Sequence, residues 1–271
     1  MMNVNPQALN APNTIALDLA HVNVAYNGNL ALEDITVQIP AGARVAIIGP
    51  NGAGKSTLFK AIVGLVPLAS GKIEIRGTDA RLRQPAQVAY VAQREEIDWR
   101  FPLRVADVVL MGRYPSLGWL KRPGARDCEI ASEAIEKVGL TDLTLRRISH
   151  LSGGQQQRVF LARAWAQDAD IYLLDEPFTG VDAATEQIIN ATLAELQARG
   201  KTILVATHDL ESVIAHFTDV LCMNRRICGY GPIHDVLTPE NLGDTFGHQL
   251  TFLEMGDRHI AAIGGSHGHF G

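Results

Sequence analysis

The chain has 271 residues, of which 46% are hydrophobic and 20% are charged, as is ordinary for a globular protein with a packed core. Its formal net charge of −5 provides no global basic surface, which disfavours proteins that bind nucleic acid. No apolar run is long enough to span a bilayer, and residues 1–13 lack the pattern of a signal peptide. Three cysteines without CxxC spacing indicate buried, reduced thiols, so we expect a cytoplasmic protein.

The first third of the chain alternates between predicted strands and one helix. Apolar and polar residues alternate as in a half-exposed sheet, and a fully apolar run before Gly49 indicates a buried parallel strand. The predicted strands are Ile15–Val22, Ile35–Ile39, Arg44–Ile48, Lys72–Arg76 and Val88–Ala92, and the predicted helix is Lys55–Leu65.

The pattern becomes helical after Gln93 and returns to strand–helix alternation near residue 150. Helices are predicted at Val105–Met111 and Cys128–Val138, on either side of a loop from Tyr114 to Gly124. Later come helix Gly154–Ala166, strand Ile171–Leu174, helix Ala184–Ala198, strand Thr202–Ala206, and a terminal hairpin of Val220–Met223 and Arg226–Tyr230. This order predicts an α/β fold with parallel strands covered by helices.

The domain boundaries follow from this pattern. We expect one domain over residues 15–247, with a core of 15–93 and 150–236 and a helical insertion of 94–149. Residues 248–271 form a C-terminal extension with His259, His267 and His269. Its Gly- and His-rich end is interpreted as disordered, with a weak metal-sensing tail as the alternative.

A glycine-rich loop supplies the first chemical motif. It matches G-x-x-x-x-G-K-[S/T] between a predicted strand and a predicted helix, so its backbone N–H groups can surround phosphate oxygens at a helix N-terminus. We expect Lys55 to reach the β- and γ-phosphates and the Ser56 hydroxyl to hold Mg²⁺. The nucleotide-binding residues predicted here are Gly49, Pro50, Asn51, Gly52, Ala53, Gly54, Lys55, Ser56 and Thr57.

Two acids follow the apolar strand at Ile171–Leu174. The strand places Asp175 at the carboxyl edge of the sheet, where open α/β sheets bind their ligands. Asp175 can therefore orient Mg²⁺. Glu176 can polarise a water for in-line attack on the γ-phosphate.

A second glycine turn, in Leu151–Gln155, has no lysine of its own. Ser152 is a good N-cap, and the helix that follows offers free N–H groups to a phosphate through Gly153 and Gly154. The sequence leaves open whether this turn meets the chain's own nucleotide or that of a partner. The chemistry favours a partner, because the first loop already covers one side of the triphosphate.

Together these motifs resemble the ATPase subunits of ABC transporters. The resemblance covers Ile15 to Gly247 and is carried by Tyr26, Gly49–Thr57, Gln93, Leu151–Gln155, Asp175, Glu176, Asp182 and His208, which occur in the family's order. It implies a P-loop (RecA-like) parallel-sheet core with an antiparallel N-terminal β subdomain and an inserted helical subdomain. It also implies an ATPase that uses ATP and Mg²⁺.

The resemblance further implies roles for individual residues. Tyr26 would stack on adenine, Gln93 would link the Mg²⁺ and water shell to the insertion, and His208 would touch the γ-phosphate. Asp182 would lie at the contact between two subunits. Each ATP would be held between the phosphate loop of one subunit and Ser152, Gly153, Gly154 and Gln155 of the other, in a two-fold homodimer.

Other segments resemble the ATPases of bacterial manganese, zinc and iron importers. They are Ile97–Pro102, Val105–Tyr114, Pro177–Glu186 and Val236–Asn241. The resemblance implies a membrane permease that binds near Gln93 and Ile97–Pro102, on the cytoplasmic face of the inner membrane, and indirectly an extracytoplasmic metal-binding protein. From sequence alone, the acidic and aromatic run Glu95–Pro102 is either an exposed partner groove or a packed corner of the helical subdomain.

The sequence disfavours two other functions. A soluble ABC-type ATPase of DNA repair or the ribosome would typically carry tandem domains, coiled-coil insertions or basic surfaces, which this sequence lacks. A P-loop kinase or GTPase is disfavoured by Leu151–Gln155.

Overall fold

The structure is a computed structural model that describes residues 14–82, 85–94, 102–117, 121–247, 250–255 and 258–263, the last two ranges as backbone. The N-terminal part contains β1 (Ile15–Tyr26), β2 (Asn29–Pro40), β3 (Arg44–Ile48), α1 (Lys55–Ile62), β4 (Ser70–Ile75), β5 (Thr78–Asp79) and β6 (Val88–Val91). The insertion contains α2 (Val105–Leu110), α3 (Tyr114–Leu117) and α4 (Ala125–Lys137). The remainder contains α5 (Gly153–Gln167), β7 (Ile171–Asp175), α6 (Ala183–Ala198), β8 (Thr202–Thr207), α7 (Leu210–His216), β9 (Asp219–Asn224), β10 (Arg226–Pro232), α8 (Ile233–Val236), α9 (Pro239–Phe246), β11 (Leu250–Met255) and β12 (Arg258–Ile263).

Two main sheets confirm the predicted α/β architecture. One is antiparallel, in the order β2-β1-β4-β5. The other has the order β10-β9-β3-β8-β7-β6 and is parallel except for its edge strand β10, which pairs antiparallel with β9. Parallel strands that are buried on both faces read as apolar runs in the sequence, which is why β3, β7 and β8 were predicted correctly.

The parallel sheet is covered on both faces. Along β3, Val45 and Ile47 belong to a core shared with the antiparallel sheet and α1, whereas Ala46 and Ile48 belong to a core shared with α2, α4, α5 and α6. Side chains alternate along a strand, so consecutive residues of β3 serve the two cores. The carboxyl end of β3 is therefore held firmly where the phosphate loop begins.

The insertion is attached to the core mainly through α5. Arg113 Nη1 donates to Ala166 O near the end of α5 at 2.7 Å, and Arg113 Nε donates to Asp127 Oδ1 at 3.1 Å. Gly112 packs so closely that a Cβ added there would lie 2.2 Å from Arg163 O. These contacts make α5 a common support for the insertion and the core.

Several predictions need correction. Helix α1 ends at Ile62 rather than Leu65, because the chain leaves the helix at Gly64, whose φ is +75°. The hairpin β9–β10 forms as predicted but is not terminal, since α8, α9 and a further hairpin β11–β12 follow. The predicted loop from Tyr114 begins with the helical turn α3. Cys128 is exposed rather than buried, because α4 turns Ala131, Ala134 and Ile135 inward instead.

Other predictions concern residues that the structure does not describe. In Ile97–Pro102, Pro102 alone lies within the described ranges, and the Gly- and His-rich end at 264–271 lies outside them. In the described part of the chain, no helix has both the length and the apolar character needed to cross a membrane.

Candidate nucleotide-binding site

The phosphate loop joins the carboxyl end of β3 to the N-terminus of α1. A Cβ added at Gly49 would lie 2.1 Å from Met223 O of β9, so only glycine allows the loop to pass this strand. Gly52 and Gly54 have φ values of +81° and +97°, in the left-handed region that glycine adopts without strain. Gly54 also precedes α1 and has no side chain to cap it, which leaves the N–H groups of the first turn available to a ligand.

Lys55 is held inside this loop. Its side chain is buried, and its Nζ donates to Gly49 O at 2.7 Å and to Pro50 O at 3.1 Å. Burial lowers the pKa of Lys55, and the nearby charges of Glu176 and Asp175 oppose that change. The ammonium group is thus held by two carbonyl oxygens and is close enough to two carboxylates for their charges to act on it.

The two acids at the end of β7 have different environments. Asp175 is fully buried, and the Tyr90 hydroxyl donates to its Oδ2 at 3.4 Å. Glu176 has a φ of +50°, a conformation that costs a residue with a side chain about 1–3 kcal/mol. Its N–H donates to Ala206 O of β8 at 2.9 Å, which holds the turn in place.

The carboxylate of Glu176 has two further contacts. Thr179 Oγ1 donates to Glu176 Oε2 at 3.2 Å, and His208 Nδ1 lies 3.6 Å from the same oxygen. The strained turn at Glu176 therefore ends in an oriented carboxylate beside the phosphate loop.

These elements enclose a cavity of about 460 Å³, a size suited to a small organic ligand. The cavity is lined by residues of the phosphate loop, by Glu176 after β7 and by Gln93, which was predicted to lie beside Mg²⁺. The lining residues are Ala31, Asn51, Gly52, Ala53, Gly54, Lys55, Ser56, Thr57, Gln93, Glu176 and Thr179. Seven of the nine predicted phosphate-loop residues, Asn51 to Thr57, therefore line this cavity together with the predicted Gln93 and Glu176.

The oxygen atoms at this cavity fit Mg²⁺. A hard cation of this size prefers oxygen ligands, usually one or two from the protein, with the rest from water and substrate phosphates. Ser56 supplies a hydroxyl and Gln93 an amide carbonyl, and both line the cavity. Asp175 supplies a carboxylate at the end of β7, directly before the cavity-lining Glu176.

Tyr26 lies outside this lining. It is the last residue of β1, it is 45% exposed, and it pairs with Asn29 of β2. Ala31, two residues further along β2, lines the cavity. Tyr26 is therefore partly exposed, at the end of β1 that pairs with β2 two residues before the cavity-lining Ala31.

The second glycine turn also lies outside the lining. Ser152 Oγ accepts from Gln155 N at 3.3 Å, and Ser152 N donates to Gln155 Oε1 at 3.0 Å, so the two residues cap α5 reciprocally. Gly154 lies against α6, where an added Cβ would be 2.9 Å from Thr185 Oγ1.

Asp182 lies close to the second glycine turn, because Thr185 contacts both. It caps α6 by accepting from Thr185 N at 2.7 Å, and this backbone hydrogen bond lowers the pKa of the carboxyl. Ser152, Gly154 and Asp182 therefore form a second group of predicted residues, linked by Thr185.

Four contributing residues were not predicted. Ala31 and Thr179 line the cavity, and Thr185 joins Asp182 to Gly154. Arg94 places its guanidinium against Gly153, where an added Cβ would lie 3.4 Å from Arg94 Cζ. Thr179 follows Glu176 by three residues and could have been found from that spacing; the others are brought together only by the fold.

Known proteins match this chain along most of its length. The sequence model of the family described as "ABC transporter" matches residues 32–179. The manganese transport system ATP-binding protein MntB of Bacillus subtilis is 54% identical over 238 residues, which cover 88% of this chain and 95% of the relative. The zinc transport system ATP-binding protein TroB of Treponema pallidum is 52% identical over 236 residues, covering 87% and 88%.

A third relative and a solved structure agree with these. The chelated iron transport system membrane protein YfeB of Yersinia pestis is 45% identical over 238 residues, covering 87% of this chain and 80% of the relative. A metal-chelate type ABC transporter in an inward-facing conformation aligns with a TM-score of 0.75 and 28% identity, covering 91% of this chain and 96% of that one. The chain therefore belongs to the ABC transporter family, and it is an ATPase of that family.

Proposed function

We propose that this chain is the ATP-hydrolysing, energy-coupling subunit of an importer for a divalent transition metal: manganese, zinc or iron. The observation that carries the ATPase part is the cavity in which the phosphate loop, Gln93 and Glu176 meet. The cargo class is supported by relatives named for manganese, zinc and chelated iron transport, each at least 45% identical to this chain.

Binding relies on the phosphate loop. The N–H groups of the loop and of the first turn of α1 surround the β- and γ-phosphates, and Lys55 places its positive charge against them. Ser56, Gln93 and Asp175 would hold Mg²⁺, which neutralises charge on the phosphate oxygens when it is bound. Tyr26 offers its exposed ring to the adenine base.

Hydrolysis relies on Glu176. Its carboxylate orients a water and accepts a proton from it as the water oxygen bonds to the γ-phosphorus. The bond between that phosphorus and the oxygen bridging to the β-phosphate breaks, giving ADP and inorganic phosphate. His208 lies beside Glu176 and would contact the γ-phosphate, while Gln93 would link the Mg²⁺ and water shell to the helical insertion.

We assign the second glycine turn to a partner subunit's nucleotide. Ser152, Gly153, Gly154 and Gln155 lie outside the lining of the chain's own cavity, which supports this assignment. Two chains then enclose two ATP molecules across a two-fold, self-complementary interface with Asp182 at the subunit contact. ATP in both sites closes the dimer, and hydrolysis with phosphate release opens it.

Closing and opening of the ATPase dimer would drive a conformational change in the membrane permease. It would bind the surface near Gln93 and Ile97–Pro102, which keeps the ATPase on the cytoplasmic face of the inner membrane. An extracytoplasmic metal-binding protein would act on the other side, and nucleic acid has no part in the cycle.

Uptake of radiolabelled manganese, zinc and iron tests this function. A deletion strain is complemented with the unaltered chain or with Lys55→Ala, which removes the ammonium group at the phosphate loop. We expect uptake of at least one metal with the unaltered chain alone. Equal uptake by both strains would contradict the proposal.

Affinity purification from detergent-solubilised membranes tests the partner. An integral membrane protein should accompany the chain in stoichiometric amounts. Recovery of ribosomes or DNA instead would favour the soluble ABC-type ATPase.

A further inference from the structure

Arg94 connects the two groups of site residues within one chain. It directly follows Gln93, which lines the nucleotide cavity. Its Nε donates to Gln156 Oε1 at 3.0 Å, and its guanidinium lies against Gly153. A single residue therefore separates the cavity lining from the turn at Ser152–Gly154.

Gln156 links Arg94 to Ile148, in the segment before α5. Its side chain is buried, and its Nε2 donates to Ile148 O at 3.1 Å while its Oε1 accepts from Arg94. An amide group has distinct donor and acceptor ends, so rotating it would break both bonds at once. The first turn of α5 is thus fixed relative to both Arg94 and Ile148.

The turn itself has few side chains with which to hold its orientation. Gly153 and Gly154 contribute none, and the cap formed by Ser152 and Gln155 is internal to the turn. Its links to the rest of the chain include Arg94 and Gln156 on one side and Thr185 on the other. A short series of contacts therefore joins Gln93 to the turn.

We infer that Arg94 is a positioning residue that couples Gln93 in the chain's own ATP site to the Ser152–Gly154 turn in the partner's ATP site. The inference rests on the proposed two-fold sandwich. In this arrangement Arg94 acts through Gln156 on the orientation of the turn. Its loss should leave ATP binding to a single subunit intact and weaken closure of the dimer.

The test uses full-length protein carrying Glu176→Gln, so that ATP-bound dimers accumulate. Arg94→Ala and Arg94→Lys are compared with Arg126→Ala, a matched loss of charge at an exposed position of α4. Three quantities are measured: ATP affinity at concentrations that keep the protein monomeric, the ATP concentration for half-maximal dimerisation by light scattering, and thermal unfolding without nucleotide.

We expect Arg94→Ala to raise the ATP concentration for half-maximal dimerisation about ten- to a hundredfold, as loss of a hydrogen bond from a charged donor predicts. Monomer affinity should change by less than about twofold, since that cavity is not altered. Arg94→Lys keeps a charged donor for Gln156 and should restore most of the closure. Arg126→Ala should behave like the parent protein.

A double-mutant cycle with Gln156→Ala makes the test specific. Adding Arg94→Ala to Gln156→Ala should increase the dimerisation defect little, because Arg94 acts on the turn through Gln156. Unchanged dimerisation in Arg94→Ala would overturn the inference. So would a parallel loss of monomer affinity and thermal stability, which would indicate a merely structural contact. If the parent with Arg94 intact forms no dimer at saturating ATP, the sandwich itself is wrong and the inference falls with it.

Discussion

His208 Nδ1 lies 3.6 Å from Glu176 Oε2, so the residue that follows β8 is beside the residue that follows β7, and Glu176 lines the nucleotide cavity. The Glu176 side chain is only 14% exposed, whereas that of His208 is 56% exposed. The carboxylate is therefore the sheltered partner and the imidazole the accessible one. This difference suits the proposed roles, in which Glu176 is the base that orients a water and His208 contacts the γ-phosphate.

Glu176→Gln should separate ATP binding from ATP hydrolysis. The amide keeps the size of the side chain and an oxygen for Thr179, but it cannot take a proton from water. We expect hydrolysis to fall by about 10²–10⁴-fold, the usual contribution of a general base. Light scattering with ATP and Mg²⁺ should detect a stable dimer, and a monomer at saturating ATP would contradict the sandwich. Thr179→Ala is the control, since it removes one hydrogen bond but leaves the base.

Ser152→Arg should block the second half of the composite site. Ser152 lies outside the lining of the chain's own cavity, so ATP affinity of the monomer should stay within about twofold of the unaltered value. The long cation at the turn should prevent a partner from closing and suppress hydrolysis. Ser152→Ala controls for the lost cap of α5, which costs about 1 kcal/mol. Full hydrolysis by Ser152→Arg would show that this turn meets no nucleotide.

The sequence predicted the parallel sheet and the phosphate loop well, because both depend on local patterns. The apolar runs of β3, β7 and β8 and the glycines of the loop are contiguous in the chain. Lys55 and Glu176 could be assigned to one site from the rule that ligands bind at the carboxyl ends of parallel strands.

Contacts between distant residues were not predictable in the same way. Arg94 and Gly153 are separated by 59 residues (153 minus 94), and nothing in either local sequence specifies their contact. The short helices α8 and α9 were missed because tertiary packing, here of Val236, Leu242 and Phe246 against the core, stabilises segments too short for a clear helical period.

Gly49→Ala should destabilise the fold more than Gly52→Ala, although both positions belong to the same loop. The added Cβ at Gly49 would lie 2.1 Å from Met223 O, so β9 or the loop must shift, at a cost of about 1–3 kcal/mol or more. At Gly52 no atom lies within 4 Å of the added Cβ, and the positive φ alone costs about 1–2 kcal/mol. Urea unfolding without nucleotide measures the difference, and equal losses would contradict the close approach to β9.

Asp127→Asn should reduce stability in a way that depends on pH. Asp127 Oδ2 accepts from Gly124 N at 2.9 Å and its Oδ1 from Arg113 Nε at 3.1 Å. The hydrogen bond from Gly124, followed by the contact with Arg113, lowers the pKa of this carboxyl. A carboxyl whose pKa is lower in the folded state contributes stability above its unfolded pKa of about 3.9 and loses it as pH falls toward the folded pKa.

The free energy of unfolding of the unaltered chain should therefore exceed that of Asp127→Asn near neutral pH. The gap should narrow once the pH falls below about 4, where the unaltered carboxyl takes up a proton and also becomes neutral. Urea titrations between neutral and acidic pH measure the gap. Glu133→Gln, at an exposed position of the same helix, controls for the loss of one negative charge. A gap that stays constant over this range would mean that the ionised form of Asp127 is not what Gly124 and Arg113 stabilise.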